Sequence, residues 1–360
     1  MIDFRYHLVS LISVFLALAV GIILGAGPLQ GTIGDQLTDQ VDSLRTERND
    51  LRDSLARSQA DADERLEFIE AAGPSLLEGT LVGRSVAVVD LDGVSDDIME
   101  DVTAGIEAAG GSVSARLALT EAWADDDHEG FRETVAAGMR PRLRSIEEGL
   151  SEDASTEELL GTALALALAH ESEPGTRSDD AQALQQQLVQ ADLIVVDGDL
   201  TAAADAVLLV SGTAGSGAPQ SATPAPSEAT AVSMATLAGA VQAVAPTVVA
   251  GPTTTSGDVV STVRGDSDVA ERVSTVSGVD KPVGQIAAPL AVAAQLAGTT
   301  GHYGFEDGTT PLPRVVRPRA DTGLGADAGS DSAGADGQTD DDTGDVTQPG
   351  GGAGSEGGNG

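Results

Sequence analysis

Residues 8–26, LVSLISVFLALAVGIILGA, carry no charge. As a helix this run is roughly 28 Å long, close to the hydrocarbon thickness of a bilayer. A secretory leader has a shorter apolar core of about 7–15 residues behind a basic front. Here the front is MIDFRYH, in which Asp3 offsets Arg5. Gly25, Ala26 and Gly27 supply the small residues of a cleavage site, but the length of the core reads as an uncleaved transmembrane anchor. The run is apolar all round and stands at the N-terminus, which argues against a buried helix of a soluble core. The flanks set an orientation. Arg5 precedes the run, whereas Asp35 and Asp39 follow it before the next basic residue, Arg45. The positive side stays in the cytoplasm, so the expected topology is single-pass in the plasma membrane, with everything after the anchor outside.

Behind the anchor (residues 1–30), Gly31 and Gly34 are expected to break the chain. Leu37, Val41, Leu44, Leu51 and Leu55 then recur at steps of four, three, seven and four. In heptad terms Val41, Arg48 and Leu55 take a, and Leu37, Leu44 and Leu51 take d. Arg48 weakens the seam but can fix register and oligomer state. Glu47 falls at g and Arg52 at the next e, so a parallel dimer pairs them across strands, and an antiparallel one does not. The expectation is a coiled-coil stalk over 32–72, decaying at Ser58 and Ala62 and ending before Gly73-Pro74. The chain is thereby expected to be a homodimer or higher oligomer.

The periodicity changes after residue 79. RSVAVVDLDGVSDD reads as a strand and turn, and Ile98, Val102 and Ile106 mark a helix stopped by Gly110-Gly111. SVSARLAL follows as a second strand, which makes a β-α-β unit. ADLIVVDGDL (191–200), PTVVAGPTTTS (246–256) and RVSTVSGV (272–279) read as further strands, and a last helix spans about 282–297. Near-continuous apolar strands alternating with helices define the fold class: α/β, a mainly parallel sheet covered on both faces, over residues 79–317. Neither GTALALALA (161–169) nor the last helix is long enough to cross a bilayer, and Gln295 interrupts the latter. Residues 211–231 are small and Pro-rich and read as a flexible loop. Residues 318–360 are rich in Gly, Asp, Ser and Ala and read as a disordered acidic tail.

Composition then excludes functions. The formal net charge of −38, from 57 acidic against 19 basic residues, leaves no basic stripe for nucleic acid. With no cysteine, disulfides, thiol catalysis, iron–sulfur clusters and thiolate zinc sites are out. No phosphate-binding glycine loop ends in Lys-Ser/Thr, no G-x-S-x-G elbow occurs, and His7, His128, His170 and His302 never pair at metal-ligand spacing. No catalytic constellation and no cofactor site emerge, so the chain reads as non-enzymatic. Asp90 and Asp197 close strands at what is expected to be the ligand-binding carboxyl edge, and the expectation is that they bond amides of the next turn. The best local metal candidate is ADDDHEG, with Asp125, Asp126, Asp127 and His128; of these Asp125, Asp127 and His128 are the candidate ligands, weakly for Cu(II), although with no second ligand cluster the stretch reads first as a solvated acidic loop. GHYG (301–304) reads as a tight turn capping the last helix.

The opening MIDFRYHLVSLISVFLALAVGIILGAGPL, the heptad helix and GHYG together resemble the actinobacterial MctB family, the mycobacterial copper transport protein B group. The resemblance is densest over residues 1–55 and extends to about Pro313. It implies a cell-envelope protein of copper homeostasis and efflux. Relatives in the group are also linked to daughter-cell separation, which implies as alternative a coiled-coil scaffold for other envelope proteins. The residues carry location better than activity. Cu(I) is held by thiolates and thioethers, whereas Met1, Met99, Met139 and Met234 are scattered and one apolar helix encloses no path.

Overall fold

A computed structural model describes residues 4–26, 28–200, 202–212, 228–254 and 257–317. The expected loop lies largely, and the acidic tail wholly, outside them.

Helix α1 (Phe4–Ala26) is the apolar run, long enough to cross a membrane and wholly unburied by the rest of the chain. Helix α2 is a single 50-residue helix, Pro28–Leu77. It runs through Gly31 and Gly34, so the expected break there does not occur. A glycine costs about 1 kcal/mol relative to alanine inside a helix, too little to interrupt one of this length. Nor does α2 stop before Gly73-Pro74. Its last turns pack on the head through Ile69, Leu76 and the buried Leu77, and tertiary packing overrides the local breaker. Arg317 donates to the carbonyls of Ser75 (3.2 Å) and Glu78 (2.9 Å), answering acceptors that a helix end leaves open.

The head follows as β1 (Ser85–Asp90), α3 (Asp96–Ala108), β2 (Ser112–Leu119), the single turn α4 (Glu121–Ala124), α5 (Glu129–Ile146) and α6 (Thr156–Ala169). A small ribbon, β3 (Glu171–Glu173) with β4 (Thr176–Arg177), leads to α7 (Asp179–Gln190), β5 (Ile194–Asp197) and β6 (Ala206–Val210). Then come α8 (Glu228–Val244), β7 (Thr247–Gly251), α9 (Val259–Gly265), α10 (Ser267–Ala270), β8 (Ser274–Ser277), α11 (Pro282–Leu296) and β9 (His302–Tyr303). The main sheet has the order β5-β2-β1-β6-β7-β8-β9 and is parallel except for β5. The mainly parallel α/β architecture read from the sequence is therefore present.

Alternation along each strand divides the core. Ala87, Val89, Val207, Leu209 and Val249 face a layer formed by α5 to α9, whereas Val86, Val88, Leu208, Val248 and Val276 face α3, α11 and the end of α2. Helix α6 is buried from Leu159 to Leu168, enclosed by α5, α7 and α8. Its Gly161 lets α8 approach so closely that a Cβ there would lie 2.8 Å from that of Ala240. Helix α11 continues through Gln295, which is buried, and its amide donates to Gln242 (3.0 Å) and the Arg272 carbonyl (2.7 Å) and accepts from Ser274. A buried amide satisfied on both ends is compatible with the core.

Two local expectations change. β5 is antiparallel to β2, with Asp197 in register with Arg116, so Asp197 does not share the carboxyl edge with Asp90. GHYG does not cap the last helix. Gly298, at φ 76°, terminates α11, and His302 and Tyr303 form the edge strand β9 beside β8.

Candidate functional site

Parallel α/β sheets bind ligands where the winding direction reverses, at the carboxyl ends of the strands. Here the chain leaves β1 for β2 on one side and leaves β6 for β7 on the other, so the switch lies between β1 and β6. Asp90 ends β1, and its Oδ1 accepts the amides of Asp92 (3.1 Å), Gly93 (2.9 Å) and Val94 (3.0 Å). This is the turn-closing role expected for it. The second carboxylate, Asp92, is largely buried and accepts the Gly212 amide at the end of β6. Burial raises its pKa to about 6. The Gly212 amide opposes that shift and the charge of Asp90 adds to it. No sequence pattern distinguished Asp92 from the other acids of DLDGVSDD.

The far end of the same edge holds a polar network. Arg264, 15% exposed, donates from Nε to Thr275 Oγ1 (2.8 Å), from Nη2 to the Tyr303 carbonyl (2.9 Å) and from Nη1 to Glu306 Oε2 (3.3 Å). Ser277 also donates to Glu306 (2.7 Å), and Thr275 meets His302 Nδ1 at 2.9 Å. Burial pushes the Glu306 carboxyl up. Hydrogen bonds from Ser277, its own amide and Thr254, with the Arg264 charge, overcome that and hold it at about 2. His302 is pushed down, first by burial and then by Arg264. The arrangement ties β9 and the loop after it to β8 and α9, which is a structural task. Since the folded pKa of Glu306 lies below the ordinary 4.5, its stabilisation is full above about pH 4.5 and is lost as pH falls toward 2. Glu306→Gln is expected to cost about 1.5–3 kcal/mol at pH 7, the worth of hydrogen bonds to a charged group. It should also flatten the acid limb between pH 4.5 and 3. Urea titrations followed by fluorescence of Trp123, which is buried and is the chain's one tryptophan, check both.

The acidic corner of the sequence lies between α4 and α5. Asp125 Oδ2 is 3.2 Å from His128 Nδ1, and its Oδ1 accepts the Asp127 amide at 3.0 Å. That amide, more than His128 and Arg132, holds the Asp125 carboxyl below its usual range. Arg132 fixes the corner by donating to the carbonyls of Ala122 (3.1 Å) and Asp125 (2.6 Å). Asp127 thus meets Asp125 through its amide. Among the described residues no three His, Asp or Glu side chains converge as a metal cage. The described thioethers do not converge either: Met99 is buried on one face of the sheet, and Met139 and Met234 on the other.

The seam positions of α2 all lie on its surface. Leu37, Leu44, Leu51 and Leu55 are each about 60% exposed and Val41 is 38% exposed, although such residues are ordinarily found inside. Arg48 bonds its neighbour Asn49 at 3.3 Å.

A membrane-length apolar helix, a long helix with an apolar stripe and a doubly wound head with no assembled ligand cage among the described residues define a membrane-anchored α/β protein. Residues 1–313 match the family described as "Copper transport outer membrane protein, MctB", and the chain belongs to that family of copper transport proteins of the cell envelope. It is similar to the proteins named Copper transporter MctB of Mycobacterium bovis and Mycobacterium tuberculosis, at 30% identity over 325 residues, 86% of this chain and 98% of each relative. The protein of the same name from Mycobacterium leprae is 29% identical over 87% of this chain and 99% of its own.

Proposed function

We propose that the chain is a non-enzymatic, membrane-anchored component of copper homeostasis and efflux that works as an assembly. The observation that carries this reading is the exposed leucine stripe of α2, in a chain whose described residues include one membrane-length helix and whose family is one of copper transport. One helix encloses no path, so transport by this chain rests on copies of itself or on other envelope proteins. The proposed topology puts the N-terminus in the cytoplasm and the head outside the plasma membrane. Lipid contact through residues 8–26 favours that membrane, because a span made of one helix satisfies its own backbone in hydrocarbon. The main sheet of the described head is open and covered on both faces by helices, unlike the lipid-facing barrel of an outer membrane.

Copper is cargo in this reading, not a resident cofactor. With the thioethers split between two cores, the purified protein is expected to hold Cu(I) no tighter than about micromolar, roughly −8 kcal/mol. Cu(II) is expected to bind weakly through His128 with Asp125 and Asp127. Competition against a Cu(I) chelator checks the first value, and a stoichiometric nanomolar site would contradict it. The functional test is deletion of the gene. Copper sensitivity, restored by the intact chain, is expected. Unaltered copper tolerance with failed cell separation would instead favour a scaffold acting on other envelope proteins, which the same stripe also suits.

A further inference from the structure

The stripe of α2 and the surface by which α2 holds its own head lie on the same side of the helix. Successive residues of an α-helix turn by about 100°. On that count Leu37, Val41, Leu44, Arg48, Leu51 and Leu55 fall in one sector about 80° wide. Ile69, Gly73, Leu76 and Leu77, which pack on the head, centre within about 20° of it. The heptad frame agrees: Ile69 and Leu76 continue the a positions of Val41, Arg48 and Leu55 without a stutter.

The partner along the stripe is a second copy running parallel. Along the seam Arg45 and Arg52 stand at e, and Gln40, Glu47 and Ser54 stand at g. In a parallel pair g of one helix faces e of the other, which sets Glu47 against Arg52 and Gln40 against Arg45. In an antiparallel pair e faces e and g faces g, which sets the arginines toward each other and leaves Glu47 without a basic partner. Anchors at the N-terminal ends of both helices, inserted in one bilayer, impose the same direction.

Two helices of a coiled coil lie about 8–10 Å apart. From Ile69 onward that space is already occupied. Helices α11 and α3 pack there, and Ile286 of α11 lies so close to Gly73 that a Cβ on the glycine would be 2.7 Å from its Cδ1. We infer that the dimer is forked: the seam closes from Leu37 to Leu55, and the two helices part between Ser58 and Arg65, because above that point each carries its own head on the face that carries the partner below. The a and d positions of the interval are Ser58, Ala62 and Arg65, which offer a seam little apolar surface. Each head is then held close to the dimer axis, and the angle of the fork sets how the two heads face each other. This inference rests on the proposed function, in which the chain works as an assembly, here of its own copies.

The chain has no cysteine, so single cysteines report directly. Leu44→Cys, Leu51→Cys and Arg65→Cys all stand at d, where a parallel seam brings Cα atoms within disulfide reach, about 4.4–6.8 Å. Each variant of the full chain, in detergent micelles, is oxidised with glutathione disulfide and run without reductant. Folding is checked by Trp123 emission. The fork predicts a linked dimer at Leu44 and Leu51 and its loss at Arg65. Linkage that persists at Arg65 overturns the fork and leaves the dimer standing. Absence of linkage at all three positions overturns the dimer, and the fork with it.

Discussion

Leu44→Asp combined with Leu51→Asp is expected to turn the proposed dimer of the full-length chain into monomers in detergent without loosening the head. Both leucines are exposed in the single chain, at 63% and 64%, so neither contributes to the head's own core. In a parallel dimer the two substitutions remove four d-position leucines. Burial of a leucine is worth about 1.5–3 kcal/mol, so roughly 6–12 kcal/mol of association is withdrawn. At 1.4 kcal/mol per tenfold, even the lower figure is a loss of about 10⁴ in affinity. The aspartates add a further cost, because a charge at a seam loses water and meets no partner. Sedimentation of wild type and variant, with Trp123 emission as the control for the head, reads the result. An unchanged species would show that the stripe packs against something other than a second copy. The reverse substitution sharpens the test. Arg48→Leu replaces the one ionisable residue in the seam with an apolar one and is expected to tighten the same association.

The contrast between seam and head shows which features local sequence can carry. The stripe was legible because a heptad repeats within one helix. β1, β2, β7 and β8 were legible because runs such as VAVV and TVVA suit only a strand buried on both faces. The direction of β5 was not legible: ADLIVVDGDL reads the same whichever way it runs, and direction is set by the long excursion through α4 to α7. The central strand β6, AVLLV, follows a stretch rich in alanine and gives no turn signal of its own. Helix α6 shows no amphipathic stripe because three helices enclose it. In α2 the breakers Gly31, Gly34 and Pro74 were given their local weight, which packing against the head outweighs at Pro74. The Arg264 network was out of reach for another reason. It joins the amide of Thr254 and the carbonyl of Tyr303 to the side chains of Arg264, Thr275, Ser277, His302 and Glu306, which only the sheet order brings together.

Asp92→Asn is expected to stabilise the head at neutral pH. Asp92 sits at the switch between β1 and β6 and is shielded from solvent, with its carboxylate engaged by the Gly212 amide and Asp90 close by. One amide does not replace the water that burial removes, so its pKa rises from 3.8 to about 6. The folded chain therefore binds more protons here than the unfolded chain between those values, and stability falls as pH climbs through that window. Above it the cost of holding the charge is full, on the order of 3 kcal/mol from the size of the shift. Asparagine keeps the Oδ1 that accepts from Gly212 and carries no charge at any pH. Its amide protons need partners, which takes back part of the gain, so a net of about 1–3 kcal/mol at pH 7.5 is expected. Near pH 4.5 the wild-type carboxyl is already largely protonated, and the two chains should unfold at similar urea concentrations. Paired urea titrations at pH 4.5, 6 and 7.5, read by Trp123 emission, measure the divergence. Equal stability at all three values would mean that the carboxylate is hydrated in solution and that the loop after β1 stands open. A variant less stable at every pH would instead show that the Asp92 charge, held by the Gly212 amide, is what joins β1 to β6 at this edge.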